Sequence, residues 1–298
     1  TYLDRMIWSE VSSWTTLNGQ IFLPFKLEEG DYKIVETHAP DGYTINKEGK
    51  TFTMDEYHLW NDPITIELKD TPIHVQIDGE KLDTNGKPVP NATYELYADG
   101  DIVTGDGTVR CEDGDYIAKL TTNEEGKFSA TKPDALSVLN LDYLYLGNYK
   151  LYETKSPEGW TLDTMEHDIC VESKGQYVSP VEYKVDLLDE TSSLKVIKTD
   201  KYDETKRLAG AKFHLWSDKE EEGEEVNAGA NDSEIIELET DENGEALVEY
   251  LPHGKYYLEE ISSPEHYFIP KDQEIVEFEV DDQGFVCKGD SKQSCLEI

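Results

Sequence analysis

One stretch decides the fold: Gly147-Asn148-Tyr149-Lys150-Leu151-Tyr152-Glu153-Thr154-Lys155-Ser156-Pro157-Glu158-Gly159-Trp160. It predicts a strand that runs into a proline and glycine turn. Tyr149, Leu151 and Glu153 share one parity, so they point to the same face of that strand. The first two are core residues, whereas the third is a carboxylate that has to lie among them. A glutamate on the apolar face of a strand therefore needs an explanation.

The same pattern, Gly-x-Tyr-x-apolar-x-Glu-x-x-small-Pro-x-x-aromatic, occurs twice more, at residues 30–43 and 254–267. The glutamates at the matched position are Glu36, Glu153 and Glu260. The copies recur every 110 residues or so, and a period of roughly this length is typical of independent domains rather than of a solenoid. The repeat therefore predicts three similar modules.

The modules differ in completeness. Residues 1–72 contain the later strands of a module without its first strand, residues 73–191 contain a whole module, and residues 192–298 end within the last strand. Short alternating strands separated by turn signals predict an all-β chain of tandem antiparallel β-sandwich domains. Within it we expect a strand at residues 64–68 and one short helix at residues 134–140.

Composition excludes several classes of function. The chain carries 65 acidic and 27 basic residues, a formal net charge of -38, which excludes the basic footprint of a nucleic-acid-binding protein. No apolar stretch reaches the length of about 18 residues that a membrane helix needs, so we expect no membrane contact in this segment. No metal-ligand motif, phosphate-binding glycine loop or nucleophile elbow is present, so we expect neither a metal nor a cofactor.

The four cysteines leave two alternatives open. Cys287 and Cys295 flank a predicted hairpin loop, and Cys111 and Cys170 lie in the middle module. Each pair can form a disulfide, or all four residues are free thiols. The absence of a C-x-x-C pair argues against a zinc or thioredoxin-type site.

The motifs of the chain resemble the Cna-B type (SpaA-like) domains of Gram-positive surface adhesins and pilins. The matching motifs are Lys-x-Asp near the first strand, Gly-Ala-x-Phe-x-Leu, Thr-Asp-x-x-Gly and Tyr-x-Leu-x-Glu-x-x-Ala-Pro-x-Gly-Tyr. The middle and last modules carry them all in order with some substitutions, and the first module carries the later ones. The resemblance implies prealbumin-like (Ig-like) sandwiches and an extracellular, cell-wall-associated location on a Gram-positive bacterium.

The resemblance also implies a covalent crosslink. In that family a lysine of the first strand bonds to an Asn or Asp of the last strand, and the glutamate of the tyrosine motif catalyses the reaction. Carried over, the middle module has Lys81, Glu153 and Asp189, which predicts one isopeptide bond; a salt-bridged trio is the alternative. The unpaired candidates are Lys198 and Glu260, with an acceptor beyond Ile298, and Glu36 and Asp70, with a lysine before Thr1.

Three functions compete. The first is a structural stalk or adhesin segment whose self-crosslinking occurs once, so that the chain is not an enzyme. The second is an adhesin that binds a host extracellular protein, such as a matrix protein or immunoglobulin, through residues 99–115 and 134–142. Recovery of a host protein in a pull-down distinguishes these two. The third, a glycosidase with paired carboxylates, has only the abundance of acids in its favour.

Overall fold

The computed structural model describes residues 8–16, 19–23, 26–56, 64–218 and 235–298, except for the side chain of Asp218. Every regular element in those residues is a strand, which confirms the all-β prediction. The strands fall into three groups along the chain that follow the order of the repeats. No helix in the described ranges is long and apolar enough to cross a membrane.

The bounds of the strands are as follows. In the first module they are β1 (Gly30–Ile34), β2 (Tyr43–Thr44), β3 (Lys50–Met54) and β4 (Thr71–Pro72). In the middle module they are β5 (His74–Asp83), β6 (Thr93–Ala98), β7 (Ile102–Val103), β8 (Val109–Cys111), β9 (Tyr116–Thr121), β10 (Lys127–Ala130), β11 (Leu144–Tyr145), β12 (Gly147–Lys155), β13 (Glu166–Val171) and β14 (Val181–Asp189). In the last module they are β15 (Ser193–Ile197), β16 (Thr199–Asp200), β17 (Asp203–Arg207), β18 (Lys212–Asp218), β19 (Ile236–Glu239), β20 (Glu245–Val248), β21 (Gly254–Ser262), β22 (Val276–Val280), β23 (Val286–Lys288), β24 (Ser291–Gln293) and β25 (Cys295–Glu297).

The middle module is a sandwich of two sheets around one core. One sheet has the strand order β13-β12-β6-β9, and the other has β10-β5-β11 with β14 paired to β5. The ladders are antiparallel except that β14 runs parallel to β5, from Val181 opposite Val75 to Asp189 opposite Asp83. Among the described residues of the middle module, this pair is the one parallel ladder within the predicted antiparallel sandwich. The pair is parallel because β5 and β14, the first and last strands of this module, both begin near the first module and end near the last module.

Strand β5 carries a lysine on its core face. Its residues alternate between buried and half-buried, and Val75, Ile77, Gly79 and Lys81 all point into the core. At Gly79 a Cβ atom would overlap the ring of Phe128, so only glycine lets that ring lie against the strand. The alternation of buried and half-buried residues along β5 continues past Gly79, where the Phe128 ring lies against the strand. Lys81 therefore lies among apolar residues.

The last module repeats this plan with its own core. Its sheets have the orders β19-β18-β21-β22-β23-β24 and β20-β15-β25. Strand β25 again runs parallel to β15, with Leu296 opposite Leu194. Both leucines are buried, together with Leu215, Leu258 and Val280. The equivalence of the two modules allows their residues to be compared position by position.

The first module lacks one expected strand. Ile64, Ile66 and Leu68 are more buried than the residues between them, as the predicted alternation requires. However, residues 64–68 form no ladder in the described part of the chain, so the predicted strand is wrong. In the middle module the equivalent strand β14 pairs with β5, and no described residue of the first module takes the place of β5.

The predicted helix at residues 134–140 is also wrong. The carboxylate of Asp134 accepts hydrogen bonds from the backbone N–H groups of Leu136 and Ser137 at 2.8 and 3.0 Å. It also accepts the N–H of Lys119 at 2.7 Å and the hydroxyl of Tyr116 at 2.8 Å. These bonds satisfy the local donors and tie the segment to β9, so a turn forms in place of a helix.

A polar cluster joins the middle module to the last one. One carboxylate oxygen of Asp83 accepts the backbone N–H groups of Asn85 and Lys87, both at 2.9 Å. The other accepts the indole N–H of Trp160 at 3.2 Å and the hydroxyl of Tyr250, from the last module, at 2.8 Å. The Trp160 and Tyr250 rings meet edge to face, with centroids 5.3 Å apart. Asp83 therefore fixes the end of β5 and the start of the next module together.

All four cysteines are free thiols in the structure. The Cys111–Cys170 pair does not form because Cys111 is buried in the core, whereas Cys170 is exposed on β13. The predicted hairpin is present as β23 and β24, but Cys287 lies opposite Lys292 in its register. Cys295 follows in β25, which belongs to the other sheet, so the Cys287–Cys295 pair does not form either.

Candidate functional site

Three ionisable side chains meet inside the middle module. The Lys81 amine lies 3.1 Å from Glu153 Oε2 and 3.2 Å from Asp189 Oδ2. The side chains of Lys81 and Glu153 are 0% exposed and that of Asp189 is 2% exposed. The structure thus brings together the lysine, glutamate and aspartate that the sequence pattern selects for this module.

Three strands from both sheets place these groups. Lys81 is near the end of β5, and Asp189 is the last residue of the neighbouring β14. Glu153 lies on β12 in the facing sheet, where the pairing with β6 shifts register between Glu153 and Lys155. The alternation of each strand turns its side chain inwards, so the sandwich itself brings the three groups together.

The environment shifts both carboxyls towards the neutral form. Burial raises the pKa of Asp189 to about 7, and the charge of Glu153 adds to that effect while Lys81 opposes it. Burial also raises the pKa of Glu153, against the opposing effects of Lys81 and of a hydrogen bond from the backbone N–H of Asp163. Loss of water around a carboxylate thus outweighs the attraction of the single lysine.

The contacts of the carboxyl oxygens are unequal. Glu153 Oε2 accepts N–H groups from Lys81 at 3.1 Å and from the backbone of Asp163 at 2.7 Å, whereas its Oε1 is buried without a hydrogen-bond partner. Asp189 Oδ2 is close to the lysine amine, but it too has no hydrogen bond. The amine therefore donates a hydrogen bond to the glutamate, whereas its contact with the aspartate is an ion pair at 3.2 Å whose direction falls outside hydrogen-bond geometry, so the aspartate is left open to attack.

The last module holds part of the same site. Lys198 Nζ lies 2.6 Å from Glu260 Oε2, and the lysine side chain is 28% exposed. The backbone of Lys198 repeats the contacts of Lys81, because both strands bond to the glycine of a following turn, Gly244 or Gly126. The predicted pair therefore meets, and no described aspartate or asparagine joins it.

The first module holds the complementary part. Asp70 and Glu36 face each other, and burial first and then the charge and hydrogen bonding of Glu36 raise the pKa of Asp70. Asp70 Oδ1 is buried without a hydrogen-bond partner. The predicted glutamate and aspartate therefore meet, and within the described ranges neither forms a salt bridge with a lysine.

The site includes one residue that the sequence pattern did not select. The hydroxyl of Tyr94 lies 2.7 Å from the Lys81 amine, and Tyr94 stands directly opposite Glu153 in the β6–β12 ladder. Two sequence features signal it: Tyr94 has the parity of the buried residues in β6, and the repeat has Phe213 at this position. A hydroxyl on a core face requires a polar partner.

The loop proposed for ligand binding contacts the first module instead. Residues 99–115 form a hairpin, β7 and β8, whose tip reaches the turn before Tyr43. Burial raises the pKa of Tyr43, and the nearby charge of Asp106 adds to that effect. A Cβ atom at Gly105 would overlap the Asp41 carbonyl oxygen. This contact occupies the tip of the hairpin. The stretch at residues 134–142 does expose apolar side chains, with Leu136 at 74% and Val138 at 92%.

The described residues contain no group of three or more metal-ligating side chains placed to hold an ion. The site of the middle module consists of the Lys81 amine, the carboxyl groups of Glu153 and Asp189, and the Tyr94 hydroxyl.

Comparisons with known proteins give a consistent family. A family model described as the SpaA prealbumin-like fold domain matches residues 4–72, 74–184 and 192–293. Serine-aspartate repeat-containing protein D of Staphylococcus aureus (strain Newman) is 26% identical over 260 residues, which cover 83% of this chain and 18% of that protein. The collagen adhesin of Staphylococcus aureus is 38% identical over 94 residues, 31% of this chain and 7% of that protein. Among solved structures, the Bacillus anthracis TIE protein aligns with a TM-score of 0.47 at 22% identity, over 87% of this chain and 41% of that one. The chain thus spans a minor part of the length of these relatives.

Proposed function

The chain belongs to the SpaA family of prealbumin-like domains, and on that premise we propose that it is a load-bearing segment of a Gram-positive surface protein. An isopeptide bond between Lys81 and Asp189 stabilises its middle module. The chain forms this bond once, with the help of Glu153, and does not act as an enzyme on other molecules. An extracellular, cell-wall-associated location is part of the proposal, supported by the collagen adhesin among the relatives.

One observation carries the proposal: a fully buried lysine in contact with two buried carboxyls. Removing such charges from water costs several kcal/mol per ion, and the attraction between the paired charges rarely offsets this desolvation free energy by itself. Bond formation removes the charges of Lys81 and Asp189 together. The arrangement is therefore better explained as the reactants of a condensation than as a permanent ion pair.

The reaction balances without an outside reagent. A proton passes from the Lys81 ammonium to the Asp189 carboxylate, which gives a neutral amine and a carboxylic acid. The amine nitrogen attacks Cγ of Asp189, the Nζ–Cγ bond forms, and an amine proton moves to the leaving hydroxyl. The Cγ–O bond breaks and water leaves. Glu153 accepts and returns a proton during these steps, at an oxygen whose environment favours the protonated form.

Intact mass tests the proposal directly. We expect the full chain to weigh one water less than its sequence, and a tryptic digest to contain one branched peptide that joins Lys81 to Asp189. The Glu153→Gln and Asp189→Ala chains should keep the full mass. A wild-type chain with no deficit contradicts the proposed crosslink, and a deficit that persists in Asp189→Ala contradicts the assignment of the acceptor.

The rate of crosslinking should depend on pH. Attack requires a neutral Lys81 amine together with the acid form of Asp189, a pair that holds the same number of protons as the ammonium and carboxylate from which it arises. The pKa of Asp189 is raised to about 7, so below that pH Asp189 carries a proton in addition to those of the Lys81 ammonium, and this extra proton must be lost before the amine can attack. We therefore expect the rate to rise as pH rises through about 7. The measurement is intact mass against time for isotope-pulsed, cell-free synthesised chain; a rate that falls through this range would contradict the proposed proton transfer from Lys81 to Asp189.

A second candidate function is binding of a host matrix protein by the middle module. Exposed Leu136 and Val138 support it, together with the partial similarity to the collagen adhesin. The test is binding of the full chain to immobilised collagen and to serum proteins. The Val138→Ser chain should bind more weakly than wild type, and equal binding or none removes this candidate without affecting the crosslink.

A further inference from the structure

The Lys81 amine has a third polar neighbour besides the two carboxyls. The Tyr94 hydroxyl accepts an N–H from Lys81 at 2.7 Å, a shorter contact than the 3.1 Å to Glu153. Tyr94 is 0% exposed, and its ring packs against Phe128 with centroids 5.5 Å apart. Because the ring is fully buried and packs against Phe128, the hydroxyl has a defined position beside the amine.

The last module shows what this position looks like without a hydroxyl. Phe213 stands opposite Glu260 there, as Tyr94 stands opposite Glu153. Lys198 contacts the glutamate at 2.6 Å, but its side chain is 28% exposed, whereas Lys81 is fully buried. The fold therefore accepts phenylalanine at this position, and packing alone does not require the hydroxyl of Tyr94.

The contacts of the Lys81 amine limit the directions that are left for its lone pair. A neutral amine has two N–H groups and one lone pair. Lys81 has two hydrogen-bond acceptors, Tyr94 and Glu153, and a third neighbour, Asp189, whose Oδ2 lies at 3.2 Å without a hydrogen bond. When both N–H groups are held by the acceptors, the remaining direction, that of the lone pair, is left for Asp189.

We propose that Tyr94 is a positioning residue of the crosslinking reaction, and that its hydroxyl orients the Lys81 amine towards Asp189. This inference rests on the proposed isopeptide bond. Burial raises the pKa of Tyr94, with the nearby carboxylates adding to the effect, so the hydroxyl keeps its proton throughout. Tyr94 thus holds the amine without exchanging a proton with it, and Glu153 remains the group that transfers protons.

Tyr94→Phe in the full chain tests the inference, with Tyr149→Phe as the matched control. Tyr149 is also fully buried in this core, and its hydroxyl bonds to the backbone carbonyl of Tyr145 rather than to the lysine. Both variants lose a buried hydroxyl, but only one loses the contact with Lys81. In pulse-labelled cell-free synthesis we expect Tyr94→Phe to crosslink about tenfold more slowly, since misaligned reactants lose rate steeply, and Tyr149→Phe to crosslink at nearly the wild-type rate.

A second measurement separates positioning from stability. In the Asp189→Ala background, which cannot crosslink, Tyr94→Phe should shift the ¹⁵N resonance of the Lys81 amine, and Tyr149→Phe should not. Equal crosslinking rates for Tyr94→Phe and wild type would overturn the positioning role while leaving the crosslink in place. Equal slowing by both tyrosine variants would also overturn it, since loss of stability would explain both. A wild-type chain that never loses water would overturn the crosslink and this inference together.

Discussion

In single-molecule pulling of the full chain, the wild-type middle module should not extend between Lys81 and Asp189, whereas Lys81→Met should add an extension of about 350 Å. The bond closes a segment of roughly 110 residues, and an extended chain spans about 3.3–3.6 Å per residue. With the bond present, tension passes from β5 directly to the end of β14. Without it, the segment between them unfolds and lengthens.

The pulling measurement has a control on the same strand. Lys184 lies exposed on β14, so Lys184→Met removes a lysine without touching the site. It should give the wild-type extension. A wild-type trace that contains the full additional extension would contradict the crosslink, and the absence of that extension in Lys81→Met would show that another contact bears the load.

Unfolding in denaturant should rank two crosslink-deficient chains in a fixed order. Lys81→Met removes the bond and the buried amine together, and we expect it to lower the free energy of unfolding by about 4–5 kcal/mol, the entropy of closing a loop of this size. Asp189→Ala also removes the bond but leaves the Lys81 charge buried with one partner. We expect a further loss of up to about 3–5 kcal/mol, the cost typical of a broken buried ion pair.

The order of the two variants is the sensitive part of this prediction. Lys184→Met should change the free energy of unfolding by no more than about 0.5 kcal/mol, as is usual for exposed substitutions. If Lys81→Met is as stable as wild type, the loop is not closed in the native chain. If Asp189→Ala is the more stable of the two variants, the buried Lys81 charge does not lower the free energy of unfolding, and the argument from desolvation fails.

The site could be predicted largely from the sequence because its residues obey strand parity. Glu153 shares a face with Tyr149 and Leu151, and the structure brings it to Lys81 and Asp189. The same reasoning could have identified Tyr94, because the last module has Phe213, which lacks a hydroxyl, at the matching position. Parity alone does not show which buried polar groups touch across two sheets, so the contact with Lys81 appears only in three dimensions.

Other features could not be predicted because distant or local contacts override the pattern. The period-two pattern at residues 64–68 is present, yet a strand also needs a partner. The turn at Asp134 depends on four donors that converge on one carboxylate. The junction at Asp83 joins it to Tyr250, far along the chain, and nothing in the local sequence of either residue indicates the other.

The parallel pairing of β5 with β14 decides which parts of the middle module are free to vary. Both strands run in the same direction, and Lys81 and Asp189 lie at the same end of the pair. A stretched chain with the proposed bond would therefore carry tension along β5, across the bond and out at Asp189, bypassing all strands from β6 to β14. Selection on substitutions and insertions in that bypassed region would act through folding and binding, and not through resistance of the module to tension. Mechanical endurance and surface chemistry would then evolve separately within a single module.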